Sequence, residues 1–172
     1  MGTIHRFQGA DGGWAWEGVP VGDYGAARPG VTVQRFISRE DNSNNLEIRY
    51  FEIEPGACSN FEKHNYEHAV LVLRGSGTVQ LGEEVHRIGI GDAVFVESNE
   101  VHRFVAGPEE PLGFMCAVLD KELRFKVHGP QDLVMFDDDT GQVRSKAHWN
   151  SYAEQVKSAP VRIRNMKASS GL

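Results

Sequence analysis

The sequence predicts an all-β fold, a sandwich or barrel of short strands, on three observations. Between Val31 and Leu119 the chain runs as short stretches rich in β-branched and aromatic residues. Turn formers separate those stretches every 8 to 12 residues or so, and no helix of useful length fits between residues 31 and 120. The expected strands are Val31–Ser38, Leu46–Glu54, Ala69–Arg74, Thr78–Leu81, Val85–Ile88, Ala93–Val96, His102–Val105 and Gly113–Leu119. Their breaks include the run Asp41 to Asn45, Glu54-Pro55-Gly56, Gly75-Ser76-Gly77, Gly82-Glu83, Gly91-Asp92, Ser98-Asn99 and Gly107-Pro108, residues that accept or preset turn backbone.

The 172 residues suffice for one domain with arms. Residues 1–30 read as an irregular N-terminal arm closing in Arg28-Pro29-Gly30; Trp14 and Trp16 within it require a surface to pack on. Residues 31–120 form the barrel. Residues 121–172 read as an extension with little regular structure: a strand over Leu123–Val127, a turn at the stretch Asp137 to Gly141, a short helix over Ser151–Val156 capped by Asn150, and a frayed tail from Lys167. The Asp137–Asp139 triplet lacks the downstream glutamate of a calcium loop. A formal charge of −6 without a dense basic cluster excludes a phosphate backbone as partner, and no apolar run reaches the ~18 residues of a membrane span. Met1 to Ala10 lacks the basic-then-apolar pattern of an export signal, so the cytoplasm is the expected location. Cys58 and Cys116 suit neither a disulfide framework nor a thiolate zinc site and are expected to be reduced.

Among seven histidines, His64 and His68 lie four apart with Glu62 two residues before the first, and His102 opens a later strand. If residues 62–72 stay extended, Glu62, His64, Tyr66 and His68 share a face with Val70 and Val72. Burying such groups together is costly unless something pairs with them, and a divalent metal accepts imidazole nitrogen and carboxylate oxygen at once. Glu62, His64, His68 and His102 are therefore the expected ligands of one transition-metal ion. His5, His86, His128 and His148 are expected in solvent or in capping positions.

These residues resemble the cupins, small jelly-roll β-barrels (double-stranded β-helices), here of the single-domain kind. The first cupin motif, G-x5-H-x-H-x3-E-x6-G, overlays without a gap on Gly56, Glu62, His64, His68 and Gly75. The second, G-x5-P-x-G-x2-H-x3-N, overlays on Gly91, Glu97, Asn99, His102 and Ala106 after a spacer of fifteen residues, Ser76 to Ile90. Glu62 stands at the first motif histidine and His68 at the motif glutamate, so the family's three-histidine, one-carboxylate set keeps its composition with the carboxylate moved. The resemblance implies a Mn, Fe or Ni ion, with Zn, Co and Cu also compatible with N and O ligands, and a small-molecule substrate. Glu62 and Tyr66 are the expected proton-transfer residues; Arg49, Phe104, Phe114 and Cys116 are expected in the pocket. The leading expectation is a dioxygenase or other oxidoreductase, ahead of a redox-neutral lyase or isomerase and of a non-catalytic binding barrel. Cupin-like barrels often pair through an added edge strand, so a homodimer using the arm near Val31–Ile37 is expected.

Overall fold

The computed structural model describes residues 2–9, 13–24 and 28–158. Two six-stranded antiparallel sheets face one another. The first runs in the order β1 (Val21–Asp23), β2 (Val31–Ile37), β3 (Leu46–Ile53), β10 (Leu112–Leu119), β5 (His68–Arg74), β8 (Ala93–Val96). The second runs β12 (Val143–Trp149), β11 (Gln131–Phe136), β4 (Glu62–His64), β9 (His102–Ala106), β6 (Ser76–Leu81), β7 (Glu84–Gly89). β1 to β3, β6–β7 and β11–β12 stay within one sheet, whereas the chain crosses to the opposite sheet at each of the remaining steps from β3 to β11. Their inward residues make one core: Val31, Val33, Phe51 and Ile53; Val70 and Val72; Val79; Val94 and Val96; Phe104; Leu112, Phe114, Cys116 and Val118. All eight expected strands are present.

Gly75 shows how closely the chain leaving β5 approaches the residues that enter β10. Its φ is 65°, and a Cβ there would stand 2.0 Å from the Pro111 carbonyl oxygen. Only glycine satisfies both conditions.

Strand β3 is apolar on both alternations because both of its faces are covered. Phe51 and Ile53 point into the barrel in phase with Glu47 and Arg49. Tyr50 points outward and is fully buried, beneath Trp14 (ring centroids 5.7 Å apart) and Trp16 (4.9 Å) of the N-terminal arm. Gln34 Nε2 donates to the Trp14 carbonyl at 2.6 Å, tying the arm to β2. Strand β1 of the same chain pairs with the outer edge of β2, the edge expected to receive a second copy.

Residues 121–158 differ from the expectation of little regular structure. Leu123–Val127 lies in a helix, α1 (Lys121–His128), not in a strand. Asp120 caps it, its carboxylate accepting from the Glu122 N–H at 3.0 Å and the Leu123 N–H at 3.4 Å, and the helix formers that follow propagate the turn. β11 and β12 form a hairpin closed by the Asp137 turn, where Asp137 accepts from the Thr140 N–H and hydroxyl. The second helix, α2 (Tyr152–Ser158), has Ser151 as its capping acceptor, with its hydroxyl taking the Glu154 N–H; Asn150 instead donates its N–H to the Glu154 carboxylate. The tail from Lys167 lies outside the described residues.

Gly75→Ala is expected to lower unfolding free energy by roughly 2–4 kcal/mol, since strain at positive φ and overpacking act together. Urea denaturation of parent and variant measures this; equal midpoints would contradict the close approach.

Candidate metal centre

The segment carrying Glu62, His64 and His68 is not one extended strand. β4 ends at His64, the chain bends over residues 65–67, and β5 begins at His68 in the opposite sheet. Asn65 pins this corner: its Nδ2 donates to the Pro130 carbonyl at 2.7 Å and its Oδ1 accepts from the Asp132 N–H at 3.4 Å. His64 and His68 therefore face each other across the barrel. His102 opens β9, paired with Glu62 of β4, and the hairpin strand β11 flanks β4 on its other side, with Leu133 opposite His64 and Met135 opposite Glu62.

His64, His68 and His102 each offer one ligand atom, and these atoms lie within 4.8 Å of one another. The other ring nitrogens are engaged. His64 Nδ1 meets the Tyr66 carbonyl at 2.9 Å, His102 Nδ1 meets the Glu100 carbonyl at 2.9 Å, and His68 Nδ1 meets Cys116 Sγ at 3.0 Å. Carbonyl acceptors require Nδ1–H on His64 and His102, which leaves both Nε2 atoms as lone-pair donors. His64 Nε2 and His68 Nε2 are 2.8 Å apart, so His68 carries the shared proton on Nε2 and accepts from the Cys116 thiol at Nδ1. Replacing that proton by a cation gives three inward lone pairs, with His68 Nδ1–H then donating to Cys116. Burial, with His102 adding to it, pushes His64 down to about 2. Burial, followed by His64, likewise holds His68 well below its ordinary value. Neutral, converging, oriented imidazoles fit a divalent transition metal.

Beside the group lies a cavity of about 40 Å³, lined by Glu62, His68 and His102 together with Tyr24, Phe51, Phe104, Phe114 and Cys116. Phe104 and Phe114 stack at 4.6 Å and make its apolar wall. Glu62 lines this cavity but lies outside the three-imidazole group; its Oε2 accepts from Asn60 Nδ2 at 3.0 Å. Tyr66 does not face the cavity. Its ring stacks on His64 at 3.7 Å, and the Arg124 guanidinium lies 4.2 Å from the Tyr66 ring, which makes it a support for His64 and not a proton-transfer group. Arg49 is buried outside the cavity and donates to Cys116 Sγ at 3.3 Å. The remaining histidines lie elsewhere: His5 on Asp41, His86 beside Glu84, His148 on Asp132, and His128 at the end of α1.

Sequence reading missed Tyr24, Asn60, Glu47 and Arg124. Glu47 carried a usable signal, being in phase with inward Phe51 and Ile53. Arg124 had none, because its burial arises only when α1 docks. Glu62, with burial adding to it, holds the Tyr24 phenol far above its ordinary value, so Tyr24 stays protonated as a hydrogen-bond donor in the wall.

The protein purified without a polyhistidine tag is expected to hold a transition metal near one equivalent by elemental analysis, lost in His102→Ala and weakened in Glu62→Gln. Full retention in His102→Ala would overturn the site. The metal-free protein should also lose stability on acidification. The folded-state affinities of His64 and His68 for protons lie below the unfolded value of 6.5, so the unfolded chain takes up protons first. Their contribution is complete above pH 6.5 and falls by up to about 1.4 kcal/mol per pH unit per histidine below it. Urea titrations from pH 7.5 to 5 test this; a flat profile would contradict neutral burial.

The profile of the cupin domain matches residues 49–118. A Rhodospirillum rubrum protein named 1-methylthio-D-xylulose 5-phosphate methylsulfurylase is 33% identical over 129 residues, covering 73% of this chain and 82% of that protein. The crystal structure of a cupin-2 domain protein from Rhodospirillum rubrum superposes with a TM-score of 0.58 at 33% identity, covering 66% of this chain and 77% of that one. A polyketide cyclase from Streptomyces resistomycificus superposes with a TM-score of 0.56 at 25% identity, over 59% of this chain and 74% of that one. With two facing antiparallel sheets, three converging imidazoles placed by the two motifs, and a relative matched over most of its length, this chain belongs to the cupin family.

Proposed function

We propose that this cupin is a metal-dependent enzyme of oxygen-independent carbonyl chemistry, acting on a small ketose-like molecule that carries a thioether sulfur next to its carbonyl, with a thiol as the reductant. The sequence alone placed oxygen-dependent chemistry first. The observation that carries the present reading is Cys116, whose sulfur lines the cavity 3.0 Å from His68 Nδ1 and 3.3 Å from an Arg49 nitrogen. The methylsulfurylase name of the 33% identical relative supports the same class of substrate.

A divalent ion held by His64, His68 and His102, with Mn, Fe and Ni the foremost candidates, supplies the positive charge that polarises a substrate carbonyl. Cys116 Sγ then attacks the substrate sulfur. The carbon–sulfur bond breaks, a sulfur–sulfur bond to Cys116 forms, and the electron pair stays on the carbon beside the carbonyl. That carbon takes a proton, and a low-molecular-mass thiol releases the group from Cys116 by disulfide exchange, returning the thiol. Arg49 donates a hydrogen bond to the sulfur and holds it in place beside His68. Asn60 fixes one oxygen of Glu62, leaving the other to deliver the proton in the cavity. Phe51, Phe104 and Phe114 exclude water. The expected cytoplasmic homodimer forms part of this proposal.

Turnover of a 1-methylthio-ketose phosphate with added thiol is expected to proceed under argon. Cys116→Ser should lower it about a hundredfold or more while metal content stays at the parent level. Turnover that stops without oxygen would overturn the proposal and restore the oxygenase reading; a Cys116→Ser variant as active as the parent would overturn the sulfur-transfer step.

A further inference from the structure

On the side of the imidazoles away from the cavity, four cationic side chains gather on one carboxylate. Glu47 is 5% exposed, and burial opposes its charge, yet Arg49, Arg35, Arg124 and Lys121 together hold its carboxyl below the ordinary range. It accepts a hydrogen bond from Arg35 Nε at 3.2 Å. The other two guanidinium contacts are longer, 3.8 Å to Arg49 Nε and 4.0 Å to an Arg124 nitrogen. Arg49 is 9% exposed and Arg124 only 2%, and the Nε of each has no hydrogen-bond partner. Arg39, nearby, is already held by Asp120 and Glu122. One carboxylate thus faces four cations, two of them buried with an unpaired donor, a charge excess that a low-dielectric interior holds only at a cost.

Two short lines of contact join this cluster to the imidazoles. One runs from Arg124 to the Tyr66 ring at 4.2 Å and on to His64 at 3.7 Å. The other runs from Arg49 to Cys116 Sγ at 3.3 Å and on to His68 at 3.0 Å. Outside Glu47 a groove of about 340 Å³, lined by Arg35, Arg39, Glu47, Asp120 and Lys121 among others, leads to solvent, with Arg49 and Arg124 buried behind Glu47 and not lining it. A dianion with several acceptor oxygens matches the surplus charge and the planar, forked donors that arginine presents.

We propose that Lys121 and Arg35, which line this groove, with Arg124 and Arg49 behind Glu47, form the subsite for a phosphate monoester at the end of the substrate remote from its reacting carbonyl. This assignment rests on the reading of the imidazole cavity as the catalytic site. Glu47 serves as the buttress that keeps the cations in place when no ligand is bound.

The test is calorimetric titration of inorganic phosphate into the full chain stripped of metal by chelation, at constant ionic strength, with acetate in parallel. One saturable phosphate site is expected, weakened roughly tenfold in Lys121→Gln and at least as much in Arg124→Gln, and acetate should bind far more weakly. If Arg124→Gln does not fold, judged by near-ultraviolet circular dichroism, Lys121→Gln decides. Absence of saturable phosphate binding in the parent, unchanged affinity in the variants that fold, or acetate binding as tightly as phosphate overturns the subsite. Phosphate binding with no turnover of any methylthio-ketose phosphate overturns the catalytic reading and leaves the anion subsite standing; turnover indifferent to the phosphate group does the reverse.

Discussion

Three imidazoles that converge between two sheets must each have one ring nitrogen occupied if the other is to point at a common centre. Much of the surrounding structure meets that constraint. The Tyr66 and Glu100 carbonyls fix His64 and His102 from backbone just outside β4 and β9. Backbone acceptors cannot rotate away, so the tautomers of these two rings are set by the fold. His68 is the exception, because its Nδ1 partner is a side-chain sulfur able both to donate and to accept. A cation at the centre therefore alters the hydrogen bonding of Cys116 directly, and the metal site and the thiol act as one unit.

The corner at Asn65 has a second consequence. It places His64 and His68 on opposite sheets while using an acceptor and a donor from residues 130–132, so the segment after the barrel helps to hold the ligands. β11 reinforces this by pairing along β4, and α1 delivers Arg124 onto Tyr66. The C-terminal elements are part of the site's outer support. Asp138 of the β11–β12 turn also pairs with buried Arg28, whose Nε donates to Asn60 Oδ1 at 3.0 Å, and Asn60 in turn orients Glu62. The arm and the hairpin thus meet at the carboxylate.

Charge is distributed unevenly around the centre. On the cavity side stand Glu62, Tyr24 and apolar rings; on the far side stand Arg49, Arg124 and Glu47. A small molecule with a carbonyl at one end and an anionic group at the other would find each end matched by a different set of residues. The difference in polarity between the two sides is the physical basis for substrate orientation in the proposals above.

The sequence by itself determined eight of the twelve strands among the described residues, β2, β3 and β5 to β10, and the three histidines that converge. Alternation with period two and the turn formers Gly75, Gly91 and Asn99 act locally, and Asn99 adopts the positive φ of 65° that its place in the second motif anticipates. The histidines were legible because their spacing survives the corner at Asn65, even though the single strand first expected there does not exist. Only the tertiary structure decided which groups share a cavity. Tyr66 went behind His64, and Glu62 stayed outside the imidazole group. Those outcomes depend on contacts between residues far apart in the chain, such as Arg124 with Tyr66 or Asn65 with Pro130, and no local periodicity encodes a contact of that kind.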